Sequence, residues 1–243
     1  MSSQLDILYN ELVESEVDQF LEEDAFYQTF ATPLKSASVI KQEHRKQMVE
    51  YLKMNDLRNR LTKAEQWIRE QLPNVISPEE YEKVKNELDN SGKHFEDYAE
   101  APHDEESDKP VLLQQIFGIS DSSLVLIYQL AHKFVADKQY ENALDVLVFL
   151  VTLAPDSPAF WLALGVCMQA LETHQDAIVM FDIAKTLNPT DPSPCIYAAE
   201  SYLKMGDKDK AKEEIATVES ILKDAEPGPW KDVLAIVKNA LNS

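Results

Sequence analysis

Large apolar residues recur along this chain at steps of three and four, and over its second half that pattern itself repeats. Near the start, Leu5, Leu8, Tyr9, Leu12, Val13, Val17, Phe20 and Leu21 form a stripe opposite Glu11, Glu14, Asp18 and Glu22. That spacing predicts an amphipathic helix. Pro33 falls in a break. Met48, Leu52, Leu61, Ala64, Ile68 and Leu72 then predict a long helical segment over residues 36–72, interrupted near Asn55-Asp56. At Ser77-Pro78-Glu79-Glu80 the chain carries a helix start: Ser77 caps, Pro78 suits the first helical position, and Glu80 completes a capping box. Tyr81, Val84 and Leu88 continue that helix, which is expected to stop near Asn90-Ser91-Gly92.

The stretch AEAPHDEESDKP, residues 99–110, is acidic, bounded by proline and nearly free of large apolar residues. It reads as a linker. The expected domains are therefore an N-terminal helical region over 1–98, the linker over 99–110, and a second domain over 111–243.

Within that second domain, Trp161, Leu164, Gly165, Met168, Ala177, Phe181, Ala184 and Pro189 stand at the mutual spacings of a tetratricopeptide unit, whose period is about 34 residues. One period earlier the same slots hold Ile127, Leu130, Ala131, Phe134, Ala143, Leu147, Leu150 and Pro155. One period later they hold Cys195, Ala198, Ala199, Tyr202, Ala211, Ile215, Val218 and Lys223, so the closing proline alone is missing. Small residues at Ala131, Gly165 and Ala199, and at Ala143, Ala177 and Ala211, let two helices approach closely. Prolines end the second helix of a unit because they cannot continue it. The fold class expected is all-α: three tandem tetratricopeptide repeats at about 124–157, 158–191 and 192–225, preceded by the N-terminal helices. Trp230, Val233, Leu234, Ile236, Val237 and Leu241 predict a capping helix over about 228–241, which an exposed solenoid end needs.

Composition agrees with helices and narrows the partners. The chain has 243 residues, 44% of them apolar, with 5 Gly against 12 Pro and a net charge of −20. That charge argues against nucleic acid, which needs clustered Lys and Arg, and against an anionic membrane surface. Residues 41–70 are locally basic, with eight Lys/Arg against five Asp/Glu, between acidic flanks. The pattern reads first as charge pairing within the chain or a dimer, and second as a site for an acidic partner. Residues 1–30 show neither the basic start nor the apolar run of a secretory leader, and no apolar stretch approaches the about 18 residues of a membrane span. A cytoplasmic location is expected. Cys167 and Cys195 read as small buried packing residues.

No catalytic residue, metal ligand or cofactor is expected, and the chain does not read as an enzyme. The five His residues, His44, His94, His103, His132 and His174, have no metal-ligand spacing with each other or with cysteine. No Gly-rich phosphate loop, nucleophile elbow or His-Glu-x-x-His motif occurs.

The repeat register instead places a row of residues on the concave side of the first helix of each unit. These are Tyr128, His132 and Val135, then Leu162, Val166 and Gln169, then Ile196, Glu200 and Leu203. Most are apolar or aromatic, unlike the Lys, Arg and Asn of repeat grooves that clamp a terminal carboxylate. Such a groove suits an extended apolar peptide, with Tyr128, Gln169 and Glu200 bonding its main chain.

A Gly-Ile-Ser hinge at Gly118-Ile119-Ser120, the Ile127-Tyr128 pair, the run from Trp161 to Met168, and Tyr197-Ala198-Ala199-Glu200-Ser201-Tyr202-Leu203 together resemble the SycD/LcrH-type class II chaperones of bacterial type III secretion. The resemblance covers roughly residues 111–225. It implies a cytoplasmic, non-ATP-using chaperone that holds a short segment of hydrophobic translocator or effector proteins in the concave groove. It also implies a homodimer formed through N-terminal helices, and a groove tyrosine at Tyr128. About 110 residues before the repeats depart from the family. They leave a second reading open: a structural adaptor, needle-subunit co-chaperone or other assembly component of the secretion apparatus, working through those N-terminal helices.

Overall fold

The computed structural model describes residues 57–100, 112–223 and 229–242, with isolated positions between Ser36 and Lys46. The predicted helix carrying Leu5 to Leu21 lies outside them, as do Met48 and Leu52. Every described element is helical: α1 (Leu57–Gln71), a 3-10 turn (Leu72–Asn74), α2 (Pro78–Glu100), α3 (Leu113–Ile116), α4 (Asp121–Ala136), α5 (Tyr140–Leu153), α6 (Pro158–Ala170), α7 (His174–Leu187), α8 (Ser193–Lys204), α9 (Lys208–Ile221) and α10 (Pro229–Asn242). The chain divides into two compact units, Met1–Asp156 and Ser157–Ser243. The first holds α1–α5, the second α6–α10.

In the first unit, α4 and α5 form the helical hairpin of the first repeat, and their packing slots Ile127, Leu130, Ala131, Ala143, Leu147 and Leu150 are all sealed from solvent. α1 packs along α5, burying Ala64 and Ile68. The polar centre of that contact is Asp145, on α5. Its carboxylate accepts from the Arg60 guanidinium at 2.9 Å and from the Trp67 indole N–H at 3.3 Å. Burial pushes the Asp145 carboxyl up, against the pull of these two donors. Trp67 also meets Phe134 edge-on, with ring centroids 5.8 Å apart. Arg69 pairs with Glu65 and Asp89, so these two arginines of the basic segment are spent inside the chain.

The capping box at the start of α2 forms as expected: the Glu80 carboxylate accepts from the Ser77 backbone N–H at 2.9 Å, and the Ser77 hydroxyl accepts from the Glu80 N–H at 3.3 Å. The end of α2 differs from the expectation. The helix runs through Asn90-Ser91-Gly92 to Glu100. The Asn90 amide and Ser91 hydroxyl donate to the carbonyls of Asn86 and Leu88, both at 2.7 Å, instead of ending the helix. Gly92 meets open space. Beyond it Phe95 stacks on Phe117, giving the last turns a tertiary anchor. Ala99 and Glu100, placed in the expected linker, thus belong to α2. Residues 101–110 lie outside the described part.

Glu87 of α2 serves the start of α4. Its carboxylate accepts from the Ser120 backbone N–H at 3.0 Å and from the Ser120 hydroxyl at 2.8 Å. It therefore puts a negative charge at the N-terminus of α4, where the helix dipole favours one.

In the second unit the slots Trp161, Leu164, Ala177, Phe181, Ala184, Cys195, Ala198, Ala199, Ala211 and Val218 are all fully buried. Gly165 explains its own slot: a Cβ there would stand 2.4 Å from the Phe181 ring. Burial pushes the thiols of Cys167 and Cys195 up to about 12, so both are inert packing groups. Lys185, on α7, bridges Asp182 at 2.9 Å and Glu214 of α9 at 2.8 Å. α10 closes this unit, laying Leu234 and Val237 against Cys195, Ile196, Ala199, Ile215 and Val218.

Each hairpin turns through one residue with positive φ: Lys138 at 58°, Glu172 at 64° and Gly206 at 82°. The following N–H reaches back to Phe134, Met168 and Tyr202, respectively, at 2.8 to 3.0 Å. These are left-handed helix ends of the kind glycine favours. Two of the three carry a side chain where a Cβ is strained. Replacing Glu172 with Gly is expected to raise stability by about 0.5–1 kcal/mol, less than the strain relieved because glycine also loosens the unfolded chain. Urea unfolding of the two proteins checks it.

Glu87 sets a pH dependence. Burial alone would raise its pKa, but hydrogen bonds from Ser123 and Ser120, with Lys83 nearby, outweigh it and hold the carboxyl below its usual range. A carboxylate depressed by folding stabilises above its unfolded pKa of about 4.3, and the gain is lost as pH falls through the folded value. Wild type is thus expected to exceed Glu87→Gln in stability near neutrality, with the gap shrinking as the solution is acidified below that range. Urea midpoints measured across that range check it; a gap that grows on acidification contradicts it.

Candidate peptide-binding faces

The residues expected on the concave side fall on both units. In the first, α4 presents Tyr128 and Val135 half-buried and His132 exposed. The Tyr128 and His132 rings meet edge to face, 4.3 Å between centroids, one helical turn apart. Val125, a turn earlier, is 56% exposed. It belongs to the same row and was not picked out from the sequence, although the three-residue step back from Tyr128 reaches it directly.

In the second unit, Leu162 and Val166 lie half-buried on α6, and Glu200 and Leu203 half-buried on α8. Gln169 is committed. Its amide nitrogen donates to the Tyr197 carbonyl at 3.2 Å and to the Ser201 hydroxyl at 3.1 Å, bracing α6 against α8. Its donor is therefore spent inside the protein rather than offered to a peptide main chain. Ile196 is 2% exposed and packs in the cluster with Leu234 and Val237 of α10, against which Leu203 also rests. The periodic register treats the third unit like the others and has no means of showing that α10 closes over this position.

Tyr197 is a further member of the second face that sequence reasoning did not single out. Its ring stacks on Phe181 at 5.7 Å with 23° between planes. Burial pushes its hydroxyl up, with Glu200 and Asp191 adding to the effect. Burial likewise pushes the Glu200 carboxyl up, opposed by Lys204. Both faces are apolar in the main, each with a few polar atoms. Among the described residues, no group of three His, Cys, Asp or Glu is placed to hold a metal ion, and no helix is long and apolar enough to cross a membrane.

Low calcium response locus protein H of Yersinia pestis is 27% identical to this chain over 106 residues. The two chains are similar over that stretch. The match takes in 44% of this chain and 63% of the Yersinia protein, a little under two thirds of the relative's length. No protein-family model matches the chain. Among solved structures, the CopN–Scc3 complex superposes with a TM-score of 0.51 at 21% identity, covering 65% of this chain and 96% of its own. The type III secretion translocator chaperone SycD of Yersinia enterocolitica superposes with a TM-score of 0.50 at 24% identity, covering 55% of this chain and 98% of SycD. At these identities the superpositions establish a shared repeat fold. The similarity to low calcium response locus protein H is the sequence counterpart of that shared fold.

The Gln169 brace yields a direct test. Ser201 is fully buried, so Gln169→Leu strands its hydroxyl and is expected to cost about 0.5–1.5 kcal/mol. Combined with Ser201→Ala the two losses should fail to add, with a coupling of at least about 0.5 kcal/mol in a double-mutant cycle followed by urea unfolding.

Proposed function

We propose that this chain is a bacterial type III secretion chaperone, working in the cytoplasm, that holds extended apolar segments of translocator or effector proteins against the face of α4 and against the face that α6 and α8 share. The observation that carries the reading is the apolar row on α4: Val125 at 56% exposure, in line with half-buried Tyr128 and Val135. An apolar row that reaches solvent along a helix suits an interaction surface. Leu162 and Val166 stand in the same register on α6. The similarity to low calcium response locus protein H supports it, as does the fold shared with SycD, itself a translocator chaperone.

The chain would act by burial rather than chemistry. Apolar side chains of the client lose contact with water against these faces, each contributing about 1.5–3 kcal/mol if fully buried. The net charge of −20 keeps the complex soluble. A homodimer through the N-terminal helices is part of this proposal. The competing reading, an adaptor working through those helices, gains nothing from α1 and α2, where Arg60 and Arg69 are spent on internal carboxylates.

Point variants test this better than truncation, because removing residues 1–108 would strip α1 from α5 and leave Asp145 buried without its donors. Co-expressed with a hydrophobic translocator from its own secretion system, the full chain is expected to keep that client soluble. Tyr128→Ala and Leu162→Glu should each lower capture roughly tenfold, equivalent to about 1.4 kcal/mol, with circular dichroism unchanged. Undiminished capture by both variants would reject the faces. Light scattering of the full chain reports the homodimer: one chain per particle removes it from the proposal.

A further inference from the structure

Glu200 is out of keeping with its neighbours. On α8 it sits beside Ala198, Ala199 and Ser201, all fully buried, and is itself half-buried. Other half-buried carboxylates of the same unit are partnered: Asp182 and Glu214 share Lys185, and Asp191 accepts from the Ser193 backbone N–H at 2.9 Å. Glu200 has no such partner among the described residues; Lys204, one turn on, acts on it only through space. The Gln169 amide reaches α8 at Tyr197 and Ser201, on either side of Glu200 in the chain, which fixes this stretch against α6. In the repeat register Glu200 follows Val166 by one period, so a carboxylate takes the place that an aliphatic side chain holds on α6.

A carboxylate withdrawn from water without a cation is costly to keep ionised, and a partner that brings one recovers that cost. The overall charge of −20 attracts cations everywhere on the surface, which speeds encounter but selects no position. Glu200 supplies position.

We propose that Glu200 is the specificity-determining residue of this face and receives a Lys or Arg side chain of the bound segment, beside the apolar side chains that rest on Leu162 and Val166. The inference builds on the peptide-holding reading above. The client segment is then apolar with a basic residue at a fixed place, rather than apolar alone.

The test uses a library of random peptides displayed on phage, selected in parallel on the full wild-type chain, Glu200→Gln, Glu200→Lys and Glu213→Gln, the last an exposed carboxylate on α9. Wild type and Glu213→Gln are expected to enrich peptides with Lys or Arg at a fixed distance from apolar residues. Glu200→Gln should keep the apolar preference and lose the basic one, and Glu200→Lys should favour Asp or Glu there. A selected basic peptide, synthesised and titrated, should bind Glu200→Gln roughly tenfold more weakly than wild type. Equal basic enrichment on wild type and Glu200→Gln overturns the proposal while leaving the apolar face standing. Uniform weakening of all peptides by Glu200→Gln also overturns it, since that is the behaviour of a group bonding the main chain. Failure of every protein to enrich apolar peptides removes the peptide-holding reading itself, and this inference with it.

Discussion

The distance at which two helices of a repeat can lie is set by what stands between them, and here that is almost nothing. Ala131 faces the hairpin of the first repeat with Ala143, Gly165 does so with Ala177, and Ala199 with Ala211, and each is sealed from water. Gly165 shows the tightness of the fit, since even a methyl group would run into the Phe181 ring. Close approach leaves the large residues nowhere to go but the seams, so Trp161, Leu164 and Phe181 fill them completely. What remains for solvent, or for a partner, is the far side of each first helix. The proposed binding faces are thus a by-product of the packing: they are where the small residues are not.

Polar groups obey the same geometry. Asp145 would be intolerable on α5 without Arg60 and Trp67 of α1, and Glu214 would be so on α9 without Lys185. Both carboxylates draw a donor from another helix. This makes α1 a constituent of the first unit, sealing a charge that the first repeat cannot seal alone. Glu87 extends the logic from side chains to backbone, feeding a negative charge to the N–H end of α4.

Much of the fold was legible because a periodic constraint writes itself repeatedly. Twenty of the twenty-one helical packing slots read from the spacing are buried, and Tyr202, the exception, is half-covered with Lys210 over its ring. The capping box at Ser77 and Glu80 was readable because it is a local arrangement within four residues. The end of α2 was not, because a distant aromatic contact at Phe117 decides it. The row on the first helices was legible as a set of positions and opaque in its surroundings. Nothing in the periodicity separates Gln169, spent on a brace, from Val166, which is not, or tells Ile196 that α10 will close over it. The left-handed turns at Lys138 and Glu172 escaped notice because neither position holds glycine. In each case the missing information was a partner far along the chain.

The Arg60–Asp145 pair has a consequence in time. The two residues are 85 positions apart. A ribosome adding about 5–20 residues per second needs roughly 4–17 s to pass from one to the other. Throughout that interval α1 has emerged without the surface it is built to lie on, its Ala64 and Ile68 side facing the crowded interior of the cell. Helix formation takes microseconds or less, so α1 spends its early life as an amphipathic segment in search of a partner. The duplicated architecture hides an asymmetry of birth: α7 meets its hairpin partner α6 almost as soon as it is made, whereas the first unit must wait for α5 before its leading helix has anywhere to go.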